Sequence, residues 1–395
     1  MFPKVKSTHP GRSLQVAVSS LTLVAAFGGF SPAAAQALFP VNCPGTTITG
    51  ALRFAKPGDT IRVGGVCKER VRITTDQITI EGLATAVLDG AGVGPAAPEF
   101  NALVTIDGAR SVTLKRLTIQ NSSGEGVLGQ NGASFRVENT TVQDNGFTGI
   151  AVSSGSTAEL TNCTIRRNGI GMDIFSSGAV VLKGSIAITN NLSSGIDLNG
   201  QSMLEIRGGQ VQVNDNGGTG IVMGGSQLAI FGFTEAQQPG SSLTVNGNAA
   251  SGILVGTSSI EVFGGGFFGS GANVITVSDN GENGIWLPES GTILSPFATA
   301  KFVMENNETG INFGQNSGAT IIGGISVSNN RSTGLLADGA GSLTLVSIPP
   351  NPSAITGNPV DVDLRFGSRA TFGGATVGSI NCDGTALSRG STTCP

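Results

Sequence analysis

A two-residue signal, Gly followed by Ile, Val, Leu or Met, recurs along the chain at Gly126, Gly149, Gly171, Gly195, Gly220, Gly252, Gly284, Gly310 and Gly334. Successive glycines are 22 to 32 residues apart. An asparagine lies four residues before most of them: Asn145, Asn191, Asn216, Asn248, Asn280, Asn306 and Asn330. Before Gly171 the gap is three, from Asn168. Each unit then alternates apolar and polar residues in short runs, as in Gly195-Ile196-Asp197-Leu198, Leu204-Glu205-Ile206-Arg207 and Val211-Gln212-Val213-Asn214. Alternation of period two marks half-buried strands, and Asn and Gly supply the left-handed turns between them.

Short strands repeating once per unit with so regular a register stack in parallel, about 4.8 Å apart. Equivalent Ile, Val and Leu side chains then form continuous inward columns, and the asparagines form a hydrogen-bonded ladder at one corner. A leucine-rich repeat has a similar period, but its Leu-dominated pattern and helical segment are missing. The pattern therefore predicts an all-β fold, a right-handed parallel β-helix. Residues 59–377 should form its coils. Residues 38–58 should form an N-terminal cap with a short helix over Thr47–Ala55, and residues 378–395 a disulfide-closed C-terminal cap.

Residues 1–37 read as a secretory leader: Lys4, Lys6 and Arg12, then an apolar stretch from Leu14 to Phe30, then Ala33-Ala34-Ala35-Gln36-Ala37. Cleavage near Ala37 is expected, with a secreted or periplasmic product and no membrane span in the mature chain. Five cysteines follow. The economical pairing in an oxidising compartment is Cys43–Cys67 and Cys382–Cys394, one bridge at each end, with Cys163 a buried small hydrophobe.

Composition removes several chemistries. The net charge is −4, tyrosine is absent, and the single histidine, His9, lies in the leader. The mature chain has no Ser-His-Asp or Cys-His arrangement and no His-ligated metal. Acid–base work would fall to Asp, Glu, Lys, Arg or a metal-bound water. A mildly acidic chain with scattered Lys and Arg is not built for nucleic acid.

The run Ala51-Leu52-Arg53-Phe54-Ala55-Lys56-Pro57-Gly58-Asp59-Thr60-Ile61, with Ile80-Glu81-Gly82 and Leu88-Asp89-Gly90, resembles the opening of pectate-lyase-like proteins. The Asn-x-x-x-Gly-Ile coils are similar to the repeat of that superfamily, and the likeness extends over nearly all of the mature chain. It implies a polysaccharide-associated extracytoplasmic protein. It does not imply one reaction, because the superfamily includes lyases, hydrolases, esterases and epimerases. The Asn-Thr-Asp, Gly-His-Gly and Arg-Ile-Lys set of polygalacturonases is absent, as is the Asp-Pro-His-Asp of alginate epimerases. Pectate lyases, as this resemblance has it, bind calcium on stacked carboxylates and abstract a proton with Arg or Lys, and their Arg motif finds no counterpart here.

Outward positions should carry any site. Two residues past each repeat glycine, Asp173 and Asp197 fall on adjacent coils, candidate ligands for Ca²⁺ or a sugar. Lys183 and Arg207, on the following strand, are candidate bases or charge clamps, with Glu159 and Glu205 close by. Trp286, the only tryptophan, takes the same outward position and could stack on a sugar ring. Two coils of 32 residues should bulge as loops around Phe233–Ser242 and Gly264–Asn273. Three readings follow: a β-helix that binds acidic or neutral polysaccharide, a lyase in which Asp173, Asp197, Lys183 and Arg207 share one groove, and an adhesin-like solenoid that binds protein.

Overall fold

A computed structural model describes residues 36–94, 102–232, 240–263, 273–296, 300–349, 351–390 and 392–394. The strands form a 13-stranded sheet and a 25-stranded sheet, and within each sheet every strand pairing among the described residues is parallel, from Leu38↔Thr60 to Arg369↔Leu387 in the larger one. The single helix among the described residues, Ile48–Leu52, is N-capped by the Thr47 side chain, which accepts from the Gly50 N–H. Parallel pairing begins before that helix, at strand Leu38–Asn42, and continues through strand Leu387–Gly390.

Register creates the core. Val127, Ile150, Met172, Ile196, Ile221 and Ile253 lie opposite one another on consecutive strands of the 13-stranded sheet. Each is fully buried. Full burial of one such side chain is worth roughly 1.5–3 kcal/mol, so stacked columns of this kind dominate the stability of the solenoid. The expected bridges Cys43–Cys67 and Cys382–Cys394 are both formed, with Cα separations of 5.1 and 5.9 Å, and Cys163 is free and buried.

The corner ahead of the 13-stranded sheet explains the sequence signature. Asn145, Asn168, Asn191, Asn216, Asn248, Asn280, Asn307, Asn330 and Asn358 are all at most 8 % exposed. In each step the backbone N–H and the Nδ2 of one asparagine both donate to the Oδ1 of the next. Asn248, for example, donates to Asn280 Oδ1 at 3.1 and 3.0 Å, and its other amide proton goes to the Val213 carbonyl at 3.0 Å. The repeat glycine is the complement of this ladder. A Cβ on Gly252 would lie 2.8 Å from Asn280 Nδ2 and 2.7 Å from the Gly284 carbonyl, so only glycine fits beside the amide of the next coil.

One ladder member differs from the sequence expectation. The regular spacing of four points to Asn306, whereas the buried amide belongs to Asn307. Asn306 is the exposed residue before it, in the left-handed region at φ 59°, with its Nδ2 on Asp279. The same left-handed position is held by Asp144, Asn190, Asp215 and Asn329 in other coils. The ladder ends at Asp361, whose Oδ1 accepts both donors of Asn358 and whose Oδ2 accepts the Ser379 N–H. Burial alone would raise this carboxyl, but the N–H groups of Ser379 and Asn358 outweigh it and hold the pKa below the usual range.

Replacing Asn307 with Ala strands the Asn280 N–H and Nδ2 inside the corner and should cost about 3 kcal/mol. Asn306→Gly keeps the left-handed turn and should stay within about 1 kcal/mol of the parent. Urea denaturation of the two variants measures the difference; equal losses would contradict the assignment of the ladder to Asn307.

Candidate functional site

Asp173 and Asp197 lie opposite one another on adjacent strands, Ile170–Ile174 and Ile196–Asn199, of the 13-stranded sheet. Ile170–Ile174 buries Met172 and Ile174, so its alternate residue Asp173 faces outward; Ile196 and Leu198 do the same for Asp197. On the coil before, the column holds Ala151, which is buried; on the coil after, it holds Val222. Both carboxyls are half-buried, and among the described residues neither takes part in a salt bridge.

Like charges about 5 Å apart repel by roughly 1–3 kcal/mol across effective dielectrics of 80 to 20. The pair responds by favouring protons. Burial, the Asp197 charge and the Glu125 charge push Asp173 up to about 6. Burial raises Asp197 as well, opposed by a hydrogen bond from Ser194. One Asp197 oxygen, Oδ1, is buried with no hydrogen-bond partner in the structure. Chemically the pair is a hydrogen-bonding station in which the Asp173 carboxyl can donate as well as accept below about pH 6.

Lys183 and Arg207 are elsewhere. They belong to strands Ala179–Thr189 and Met203–Asn214 of the 25-stranded sheet, whereas Asp173 and Asp197 stand on the 13-stranded sheet. The chain bends between the Gly-Ile strand and the strand that follows, which carries the two basic residues onto another face. Each is also engaged there. Lys183 Nζ lies 2.7 Å from Glu159 Oε2, and Arg207 Nη2 lies 2.5 Å from Glu205 Oε2. The Arg207 guanidinium also sits 5.1 Å from the centre of the Phe231 ring, which stacks on Phe263 at 4.9 Å.

Trp286 does share the face of the carboxyl pair. It lies between Leu254 and Asn312 in the same outward column, three coils beyond Asp197, or about 14 Å along the axis. The half-buried ring borders an open groove of about 340 Å³ with Pro288, Asn312, Gln315, Leu336 and Asp338. Asn312 Nδ2 donates to Asn283 Oδ1 at 3.2 Å. The extra residues of the two 32-residue coils, 233–239 and 264–272, lie outside the described residues.

The sequence reading missed Glu125, Gln315 and Asp338. Glu125 stands one residue ahead of a repeat glycine and Asp338 four residues past one, so the repeat alignment held the signal for both.

A calcium ion takes six to eight oxygens, and Asp173 and Asp197 bring two carboxylates toward such a set. Among the described residues, the one close group of three potential ligands is Cys43, Cys67 and Glu69. Its sulfurs form a disulfide, and Glu69 accepts the N–H groups of Ile48 and Thr49 at the helix start. Cys163 is no nucleophile: burial pushes its thiol up to about 11.

The Asp173 shift has a definite sign. An unfolded Asp ionises near 4 while the folded carboxyl holds its proton to about 6, so the native state loses stability as pH rises between those values. Asp173→Asn should therefore raise Tm at pH 7 relative to the parent and change it little at pH 3.5. Thermal melts at the two pH values provide the test, and an equal shift at both would remove the repulsion as its cause.

Residues 102–262 match the family model described as right handed beta helix region. No curated protein matches the chain in sequence. Among solved structures, the chain is similar to an alginate lyase from Paenibacillus sp. str. FPU-7, with 14 % identity, a TM-score of 0.40, and coverage of 74 % of this chain and 97 % of that one. It is similar also to the mannuronan C-5 epimerase A-module of Azotobacter vinelandii, with 14 % identity, a TM-score of 0.42, and coverage of 81 % and 87 %. A pectin methylesterase from Erwinia chrysanthemi gives 12 % identity, a TM-score of 0.29, and coverage of 57 % and 80 %. The matched region lies inside the stack of parallel coils, and the chain is a right-handed parallel β-helix protein, the fold that its resemblance to pectate-lyase-like proteins implies.

Proposed function

We propose that this β-helix binds polysaccharide on the outward face of its 13-stranded sheet, without cleaving it. The observation that carries this reading is the placement of Asp173, Asp197 and Trp286 in one outward column, with both basic candidates on another sheet. A tryptophan ring offers an apolar platform with a polar edge. Asn312, Gln315 and Asp338 beside it supply amide and carboxylate groups that match sugar hydroxyls. The carboxyl pair adds a second station on the same face. Neutral glycans suit this surface best, since Asp173, Asp197 and Asp338 already supply it with carboxyl groups.

A lyase of the kind the superfamily resemblance implies would need a base close to the carboxylates. Lys183 and Arg207 are held by Glu159 and Glu205 on the other sheet, so a binding role fits the arrangement better. The leader expected from the sequence and the two disulfides fit an exported protein that meets such glycans outside the cytoplasm. No helix among the described residues is long and apolar enough to cross a membrane.

Affinity electrophoresis through gels that contain neutral or acidic polysaccharides tests the reading. The parent should be retarded by at least one neutral glycan, and Trp286→Ala should weaken binding about tenfold or more, near 1.4 kcal/mol. Lys183→Ala and Arg207→Ala should bind as the parent does. Unsaturated sugar ends appearing in the mixture, with or without calcium, would establish a lyase instead. Absence of retardation by any glycan would turn the search toward protein partners.

A further inference from the structure

The groove beside Trp286 is lined by groups that accept hydrogen bonds. Its residues carry one charge, the half-buried carboxylate of Asp338, and no cation. Among the described residues Asp338 takes part in no salt bridge. Arg365 feels the charges of Asp338 and Asp383, but its guanidinium is engaged by Asp363, Nη2 to Oδ2 at 2.5 Å. One cation thus stands among three carboxylates, and the field over the groove favours positive charge. The Asn312 amide is turned to the same purpose by a relay of side chains. Ser251 Oγ donates to Glu282 Oε2 at 3.1 Å, since an ionised carboxylate can only accept. The Ser251 oxygen then accepts from Asn283 Nδ2 at 3.3 Å, and Asn283 Oδ1 accepts from Asn312 Nδ2 at 3.2 Å. Each link orients the next, so Asn312 commits Nδ2 to the relay and keeps Oδ1 for the groove it lines.

A sugar hydroxyl can donate to these groups, but an ammonium matches all of them at once. It donates three hydrogens, accepts none, and is attracted to the face of an indole ring. Resting on the binding reading above, we propose that the Trp286 groove takes a sugar bearing a free amino group, so that the preferred polysaccharide contains unacetylated amino sugars. The apolar face of the sugar lies on Trp286, and its ammonium donates to Asp338 and to Asn312 Oδ1. The carboxyls that set neutral chains above acidic ones set this cationic class above both. An acetamide at the same carbon is uncharged, and it forgoes the attraction of the carboxylate and of the ring face.

Three oligosaccharides of equal length and linkage, with an amine, an acetamide or a hydroxyl at the same ring carbon, are titrated into the protein by calorimetry. The titrations are run in low salt at about pH 6, where an amine of the α-amino kind, with a pKa near 7.7, is protonated. The amine-bearing ligand should bind about fivefold or more tightly than the hydroxyl ligand. Asp338→Asn should bring that ratio close to one, and Asn283→Ala, which lets the Asn312 amide turn, should lower it. Glu261→Gln removes a carboxylate from strand Ser259–Phe263 of the other sheet and should leave the ratio as it was. A drop as large in Glu261→Gln as in Asp338→Asn would trace the preference to general attraction between a cation and an acidic protein, and would overturn the proposal. Equal affinity for the three ligands would also overturn it, while binding of neutral glycans would stand. If none of the three binds, the binding reading itself fails and the amine preference falls with it.

Discussion

Everything in this solenoid depends on how the backbone is satisfied at one corner. A tight turn inside a stack of parallel coils leaves N–H groups facing the interior, where an unpaired donor is costly. Asparagine answers this with a side chain that is a short copy of the peptide unit. Its Oδ1 takes two N–H groups from the coil before, and its Nδ2 donates to the coil after and to a main-chain carbonyl behind. Glutamine is too long to lie against the glycine of the neighbouring coil. Aspartate can accept but cannot donate onward, which is why it occurs where the ladder stops, at Asp361. Because each asparagine addresses its neighbour directly, coil-to-coil register is fixed at this corner, and the columns of the sheets inherit it.

A fixed register also decides what the outer surface does. On the 25-stranded sheet, Arg136 lies opposite Glu159, which also pairs with Lys183 from two residues further along the next coil. On the 13-stranded sheet the same stacking sets Asp173 on Asp197, and among the described residues neither takes part in a salt bridge. The scaffold does not let the pair move apart, since either residue could shift only by breaking register across its coil. The remaining relief is a proton, a cation or a ligand that donates hydrogen bonds. The raised pKa of both carboxyls is the proton's share of that relief.

The fold was legible in the chain because its determinants are local and repeated. The glycine before each Ile, Val, Leu or Met, the asparagine a few residues earlier and the two-residue alternation each occur often enough to be aligned against themselves. The ladder residue of the Gly310 coil was not legible, since Asn306 and Asn307 are adjacent and either can adopt the left-handed turn. Only the stack beneath shows which amide is buried. The site was less legible for a related reason. Alternation shows that Lys183 and Asp173 both point outward, but it carries no record of the bend between their strands. Outward on one sheet and outward on the other are different directions. The influence of Glu125 on Asp173 crosses an intervening coil, a relation that no local window contains.

That bend also keeps the two basic candidates off the sheet that carries the carboxyl pair. Proton abstraction from a sugar requires a base within hydrogen-bond reach of the carbon acid and a charge to steady the anion that forms. On the face of Asp173, Asp197 and Trp286 the groups on hand are carboxyls, amides and an aromatic ring. Such groups can donate and accept hydrogen bonds and offer an apolar ring for stacking. Lys183 and Arg207 pair with Glu159 and Glu205 on the other sheet. A scaffold that fixes its side chains so rigidly cannot bring the two sets together by rearranging coils. Its chemistry is that of the column it presents.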